Sequence, residues 1–484
     1  MEGRITRRTL ITGLTAAAAL APSTAQATPA SPPQPATPAP PVGPAAPAHG
    51  TVAAPHLARP AVPTLPWLEA NKIVADTTLP TFPDRLFKAA DYGAKPDGKT
   101  DNTAAFAKAI EACAKAGGGH VTVAKGTYLT GAIRLRGNVH LHLETGVVLK
   151  FSGDGTKFPA VLTRYEGIEC MNRSPMIYAY GEKNIALTGK AVLDAGGTSP
   201  WNKGNDRAYL ESLVAKGVPP EKRIVPGSGH TMRSTFIEPY RCENVLIQGI
   251  TLKNPKFWQI HPTLCRNVTI DGVSTDPSTA ASNTDGVDPE SCDHVVIVNC
   301  DLGAHDDNIA IKSGRDADGR RINVPCQNIV VADCRMNGNW GAITCGSEQT
   351  GGIRNVYAYR LNVVGETKFA LYVKSNTQRG GFSTNINLDS VTGAYVRSVV
   401  FVNSTYNNQT GSTPPVFGPF RLTNCGSTKA ASVLNVSGLP ESHVRGLELT
   451  DCKFDGVAST ANTIKFVDNL KITGTTVNGK PMRP

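Results

Sequence analysis

The sequence predicts an all-β solenoid, a single-stranded parallel β-helix with one N-terminal capping helix. Three observations carry that prediction. A short strand motif recurs in one phase along most of the chain. The span from about residue 80 to residue 484 is too long for one ordinary core, whereas a stack of coils extends its core in one dimension. The chain of 484 residues holds 47 glycines and only 6% aromatics, a composition suited to turn-rich β structure.

The elements follow in chain order. Residues 1–27 read as an export signal: Arg4, Arg7 and Arg8 precede an apolar stretch from Leu10 to Ala21, and Ala25-Gln26-Ala27 supplies a cleavage pattern. The adjacent pair in Thr6-Arg7-Arg8-Thr9-Leu10-Ile11 predicts a twin-arginine signal, and a secreted (extracellular or periplasmic) location. Removing three Arg and Glu2 changes the net charge from +10 to +8. Residues 28–66 contain 13 prolines in 39 positions, which favours extended polyproline geometry over a core. Residues 28–80 are therefore expected to be linker and lead-in, and 81–484 the folded domain.

Phe87 to Gly93 reads as a strand entering a turn. Asp101 or Thr103 is placed to cap a helix whose Phe106, Ala109, Ile110 and Cys113 share one face. Gly117-Gly118-Gly119 should end it. The coils then announce themselves as a small residue, a polar residue, Asn and alternating apolar residues. The clearest copies start at Cys242, Cys265, Cys292 and Cys326, spaced 23, 27 and 34 residues apart. Weaker copies start at Ile353, Thr384, Val444 and Val467. Each Asn is expected to turn a corner and bond the backbone of the next coil. The recurrent cysteines predict buried columns, with disulfides as the alternative that export permits. No CxxC pair offers a zinc site. The segment Ser199 to Met232, with Trp201, interrupts the rhythm and reads as a groove wall or lid.

The densest chemistry lies in Ser282-Asn283-Thr284-Asp285-Gly286-Val287-Asp288 and in His305-Asp306-Asp307-Asn308-Ile309-Ala310-Ile311-Lys312. Asp285 and Asp306 are 21 residues apart, about one coil, which puts them in register on neighbouring turns. Alternation from Ile309 and Ile311 would bury Asp307 and expose Asp306, so both reach one face only if the chain bends between them. Clustered carboxylates fit turn chemistry, a calcium site, or acid–base hydrolysis of a glycosidic bond. These readings stay open on the residues alone.

Asn283-Thr284-Asp285, Asp306-Asp307 and the run Asp307 to Gly314 resemble the signatures of glycoside hydrolase family 28, and the likeness extends from about Asp91 to the last coils. The resemblance implies a right-handed parallel β-helix and polygalacturonase-like, inverting hydrolysis of pectic polysaccharide without a metal or cofactor. Asp306 would then be the general acid, with Asp285 and Asp307 positioning and deprotonating water. Two positions depart from the family pattern: Trp340 replaces a histidine, and Tyr372 replaces an arginine two residues before Lys374. Losing that guanidinium removes a bidentate carboxylate contact, while two aromatic rings offer faces for a sugar. Rhamnogalacturonan or a substituted galacturonan therefore stands beside homogalacturonan as the expected substrate. Asn283, Lys312, Lys374, Trp340, Tyr372, His261 and Trp258 are the expected substrate-binding set. A calcium-dependent lyase and a non-catalytic carbohydrate-binding solenoid are the competing classes. Nucleic acid is not an expected partner, because no basic stripe with interleaved aromatics occurs. No run of about 20 apolar residues predicts a membrane span. A monomer is expected.

Overall fold

The computed structural model describes residues 55, 57–196, 203–276 and 282–483. The export signal and most of the proline-rich stretch lie outside them. Within the described residues the chain winds through parallel strands that stack into three long faces. The first face is a 14-stranded sheet and the second another of 14 strands. The third comprises a three-stranded piece and a six-stranded piece. All eight predicted motif copies fall on the first face, in sequence order, from Glu243–Gln248 to Val467–Thr473. The fold is thus a parallel β-helix.

Period-2 alternation explains the packing. Val245, Ile247, Val268, Ile270, Val295 and Ile297 point inward and are buried, stacked coil upon coil. The cysteines form inner columns as predicted. The backbone N–H groups of Cys242, Cys265 and Cys292 each lie 3.4 Å from the sulfur of the next coil's cysteine. All eleven thiols are buried and unbridged, which sets aside the disulfide alternative.

The asparagines do turn the corners, at φ of +56° for Asn244, +55° for Asn267, +58° for Asn328 and +57° for Asn355. Their amides bond one another rather than the expected backbone. Asn244 donates to Asn184 (2.9 Å), Asn267 to Asn244 (2.9 Å), Asn355 to Asn328 (3.0 Å) and Asn385 to Asn355 (3.0 Å). A left-handed corner turns each side chain along the axis, where its neighbour is the equivalent amide one coil away.

Four α-helices occur among the described residues: α1 (Leu68–Asp76), α2 (Thr103–Lys115), α3 (Arg207–Ala215) and α4 (Asp316–Ile322). Helix α2 is the predicted end cap. It buries Phe106, Ala109, Ile110 and Cys113 against the first coils, and Asp101 accepts the Thr103 N–H (2.9 Å) at its start. Gly118, at φ +105°, ends it where a Cβ would come within 2.4 Å of the Asn138 carbonyl. The packed chain begins earlier than residue 80. Helix α1 lays Ala70 and Ile73, with Leu65, over Val296, Val298, Val330 and Tyr357 on the outer side of the first face. Those outward positions are apolar and need a cover, which the lead-in supplies.

Candidate active site

The third face is interrupted between Ile237–Tyr240 and Ile309–Ile311. Single bridges through Ile260, Thr263, Val287 and Glu290 carry the ladder across the gap. Irregular backbone here frees side chains from strict alternation. Asp285 sits in this stretch, and the chain bends at His305-Asp306 between the strands Asp301–Ala304 and Ile309–Ile311. That bend brings Asp306 and Asp307 to one side. One carboxylate oxygen from each of Asp285, Asp306 and Asp307 lies within 4.8 Å of the others.

Each acid is held differently. Asp307 is buried and accepts from the Gly341 N–H (2.8 Å), the Thr344 hydroxyl (2.7 Å) and the Lys374 ammonium (3.0 Å). A Cβ at position 341 would come within 2.0 Å of the Thr344 hydroxyl, so only glycine admits this approach. Asp306, half-buried, accepts from the Asp307 N–H (2.9 Å) and the Asn283 amide (3.3 Å). Asp285 and Asp288 are buried, 3.7 and 3.5 Å from the Lys312 ammonium.

Burial and like charge act together on these acids. Burial, then repulsion from Asp307, raises Asp306 to about 6. Burial raises Asp288 to about 7. Asp285 is pushed well above the carboxylate range by burial and by Asp288 and Asp306. Carboxyls so placed hold protons toward neutral pH and titrate as a group. Against burial, Lys312, Arg315 and Arg379 keep Glu348 well below its usual value. Protein ammonium groups, Lys312 and Lys374, already lie among the acids.

Asp285 and Asp306 open into a cleft of about 150 Å³, lined also by Asn283, Lys312, Lys374, Trp340 and Trp258. Lys312 stands over the Trp258 ring at 4.2 Å. Two expected substrate contacts are buried behind the cleft surface. His261 is fully buried, its Nε2 2.8 Å from Glu290 and its Nδ1 3.8 Å from Glu238. Despite burial, these glutamates raise it to about 9, so it is an internal imidazolium. Tyr372 is also buried, its ring nearly parallel to Phe401 at 5.3 Å and 4.7 Å from Phe369. It shares outward parity with Lys374, whose ammonium lies 4.6 Å from its ring. Stacked 6.5 Å from the cleft residue Trp340, it backs the cleft from within an aromatic stack. Trp340 does line the cleft, but one ring face is covered by the Lys368 ammonium at 3.2 Å.

Sequence reasoning named a segment of the far wall but not its charge network. The turn residue Glu166 pairs with Arg207 (2.5 Å) and Arg315 (3.5 Å), and Arg315 reaches Glu348 (2.9 Å). Asn205 and Arg207, from the segment read as a wall, do line the cleft, and α3 packs Leu210 into a cluster with Tyr165, Phe257 and Trp258. Trp201 lies outside the described residues. Arg315, directly after the Lys312 to Gly314 run, is the sequence signal that could have pointed to this network.

A right-handed β-helix with clustered carboxylates in a lateral cleft defines a class of polysaccharide-acting protein. The sequence profile of Glycosyl hydrolases family 28 matches residues 113–476, and the chain belongs to that family. It is 26% identical over 334 residues to a probable polygalacturonase of Vitis vinifera, covering 66% of this chain and 62% of that one. It is 25% identical over 367 residues to an exo-poly-alpha-D-galacturonosidase of Dickeya chrysanthemi, covering 69% and 60%. The chain thus spans about six-tenths of the length of these curated relatives. Its fold superposes on a hyperthermoactive exopolygalacturonase from Thermotoga maritima with a TM-score of 0.80. That alignment has 34% identity and covers 85% of this chain and 96% of that one.

Proposed function

We propose that this protein is an exported hydrolase of the α-glycosidic bonds in galacturonate-containing pectic polysaccharide. The observation that carries the reading is the convergence of Asp285, Asp306 and Asp307, the first two lining one cleft, with Asp306 raised to about 6. Asp306 donates its proton to the glycosidic oxygen as the bond to the anomeric carbon breaks. Asp285 helps to orient a water, and Asp307, fixed by three donors, takes its proton as its oxygen bonds that carbon. One displacement inverts the anomeric centre. The polygalacturonase relatives support the substrate class, and the exo-acting ones among them favour attack at chain ends.

The spacing of the acids makes the stereochemistry a point to test. Carboxyl pairs in inverting enzymes usually stand about 6.5–9.5 Å apart, and retaining pairs about 5–5.5 Å. The nearest oxygens here lie within 4.8 Å. Proton NMR of the first product separates the two: an initial β-anomer from the α-linkage supports inversion, an initial α-anomer retention. Product sizing on homogalacturonan, rhamnogalacturonan and substituted galacturonan identifies the polymer and separates exo from endo cleavage. Unsaturated, ultraviolet-absorbing products abolished by chelator would replace the hydrolase with a lyase. Saturable binding without new reducing ends would make the protein a binding solenoid.

A further inference from the structure

A column of four residues runs from Asp306 toward the C-terminal coils. The Trp340 N–H donates to the Asp306 carbonyl (3.2 Å), the Lys368 N–H to Trp340 (2.8 Å) and the Arg397 N–H to Lys368 (3.2 Å). These residues therefore occupy equivalent positions on successive coils. At about 4.8 Å per coil, Lys368 and Arg397 stand about 10 and 14 Å along the axis from Asp306.

The cations of this column differ from those deeper in the cleft. Lys312, Lys374, Arg207 and Arg315 are each committed to protein carboxylates. Among the described residues, Lys368 and Arg397 have no carboxylate within salt-bridge distance. Lys368 is half-buried, with its ammonium fixed over the Trp340 ring, and Arg397 is exposed beside it. Burial and the like charge of Arg397 press on the Lys368 ammonium, while Asp306 and Asp307 act on it with opposite charge. A partly desolvated cation with a second cation behind it is stabilised when an anion arrives.

We infer that Lys368, oriented by Trp340 and followed by Arg397, is a carboxylate-binding position for a uronate residue of the bound polysaccharide. The inference rests on the hydrolase reading and deepens it: beyond Asp306 the cleft selects an acidic sugar, with Trp340 holding the ammonium instead of offering that ring face to a neutral sugar. It relocates anion recognition away from position 372, whose tyrosine is buried.

The test is calorimetric binding of a galacturonate hexamer and its methyl ester to the inactive Asp306→Asn protein, with and without Lys368→Met or Lys368→Arg. Loss of a charge-assisted contact predicts at least about tenfold weaker binding of the acid with Lys368→Met. Ester binding should change less than twofold, and Lys368→Arg should restore most of the loss on the acid. In otherwise wild-type enzyme, the same loss should appear as a raised KM with kcat retained. Equal weakening of acid and ester, or no weakening of either, overturns the inference while leaving cleavage by the wild type intact. Binding of neither oligomer, with no reducing ends released by the wild type, overturns the hydrolase reading and this inference together.

Discussion

At the residue scale, Asp306 sets function against stability. Its carboxyl is raised from 3.8 to about 6 in the folded protein, so the fold binds that proton more tightly than the unfolded chain does. Its stability contribution is complete below about pH 4 and is lost as pH rises through about 6. Asp306→Asn should therefore gain about 1–3 kcal/mol at pH 8, seen as a higher Tm, and nothing at pH 3.5. Equal Tm values at pH 8 would show that the aspartate is not strained by its surroundings. The same carboxyl gives turnover an alkaline limb near pH 6, where the general acid is deprotonated. The acids were legible in the sequence because their 21-residue spacing matches one coil and the motif needs a bend at Asp306-Asp307. His261 was misread, and Tyr372 lies on the expected side but is covered by neighbouring rings, because a sequence window does not show what closes over a side chain. Glu166, Arg207 and Arg315 were largely invisible, since they meet only after distant segments fold against one wall.

At the element scale, the corners and ends account for most of what the repeat cannot supply itself. Asn355 donates to Asn328 and accepts from Asn385 in the left-handed corner ladder. Asn355→Gly keeps the permitted backbone but loses both amide bonds, an expected cost of about 1–3 kcal/mol in denaturant unfolding. Asn355→Ala should cost more, because alanine resists a φ of +57°. An unchanged midpoint for both would show the ladder to be incidental. In α2, Phe106 is 1% exposed and plugs the first coil, so Phe106→Ala should cost about 3–5 kcal/mol. Helix α1 went unread because its apolar face covers the outside of a sheet, where the strand pattern predicts solvent. Truncation to Leu79 should lower Tm by exposing Val296, Val298, Val330 and Tyr357, with KM unchanged. A shift in KM would instead tie the lead-in to the cleft.

At the scale of the whole molecule, the repeat explains how a chain this long keeps one continuous core: each coil buries its apolar side on its neighbours. The eight motif copies made that architecture readable, since a strand pattern repeated in phase has few other solutions. The twin-arginine reading of residues 1–27 predicts that Arg7-Arg8→Lys-Lys stops export of the folded protein, as measured by fractionation. Continued export would point to a general secretory signal. The central claim is that the carboxylate cluster hydrolyses pectic chains. It is tested most directly by reducing-end release from polygalacturonate with wild-type protein and with Asp306→Asn at pH 5. The account predicts steady release by the wild type and a loss of at least about a hundredfold in the variant. Release by Asp306→Asn at the wild-type rate would contradict it.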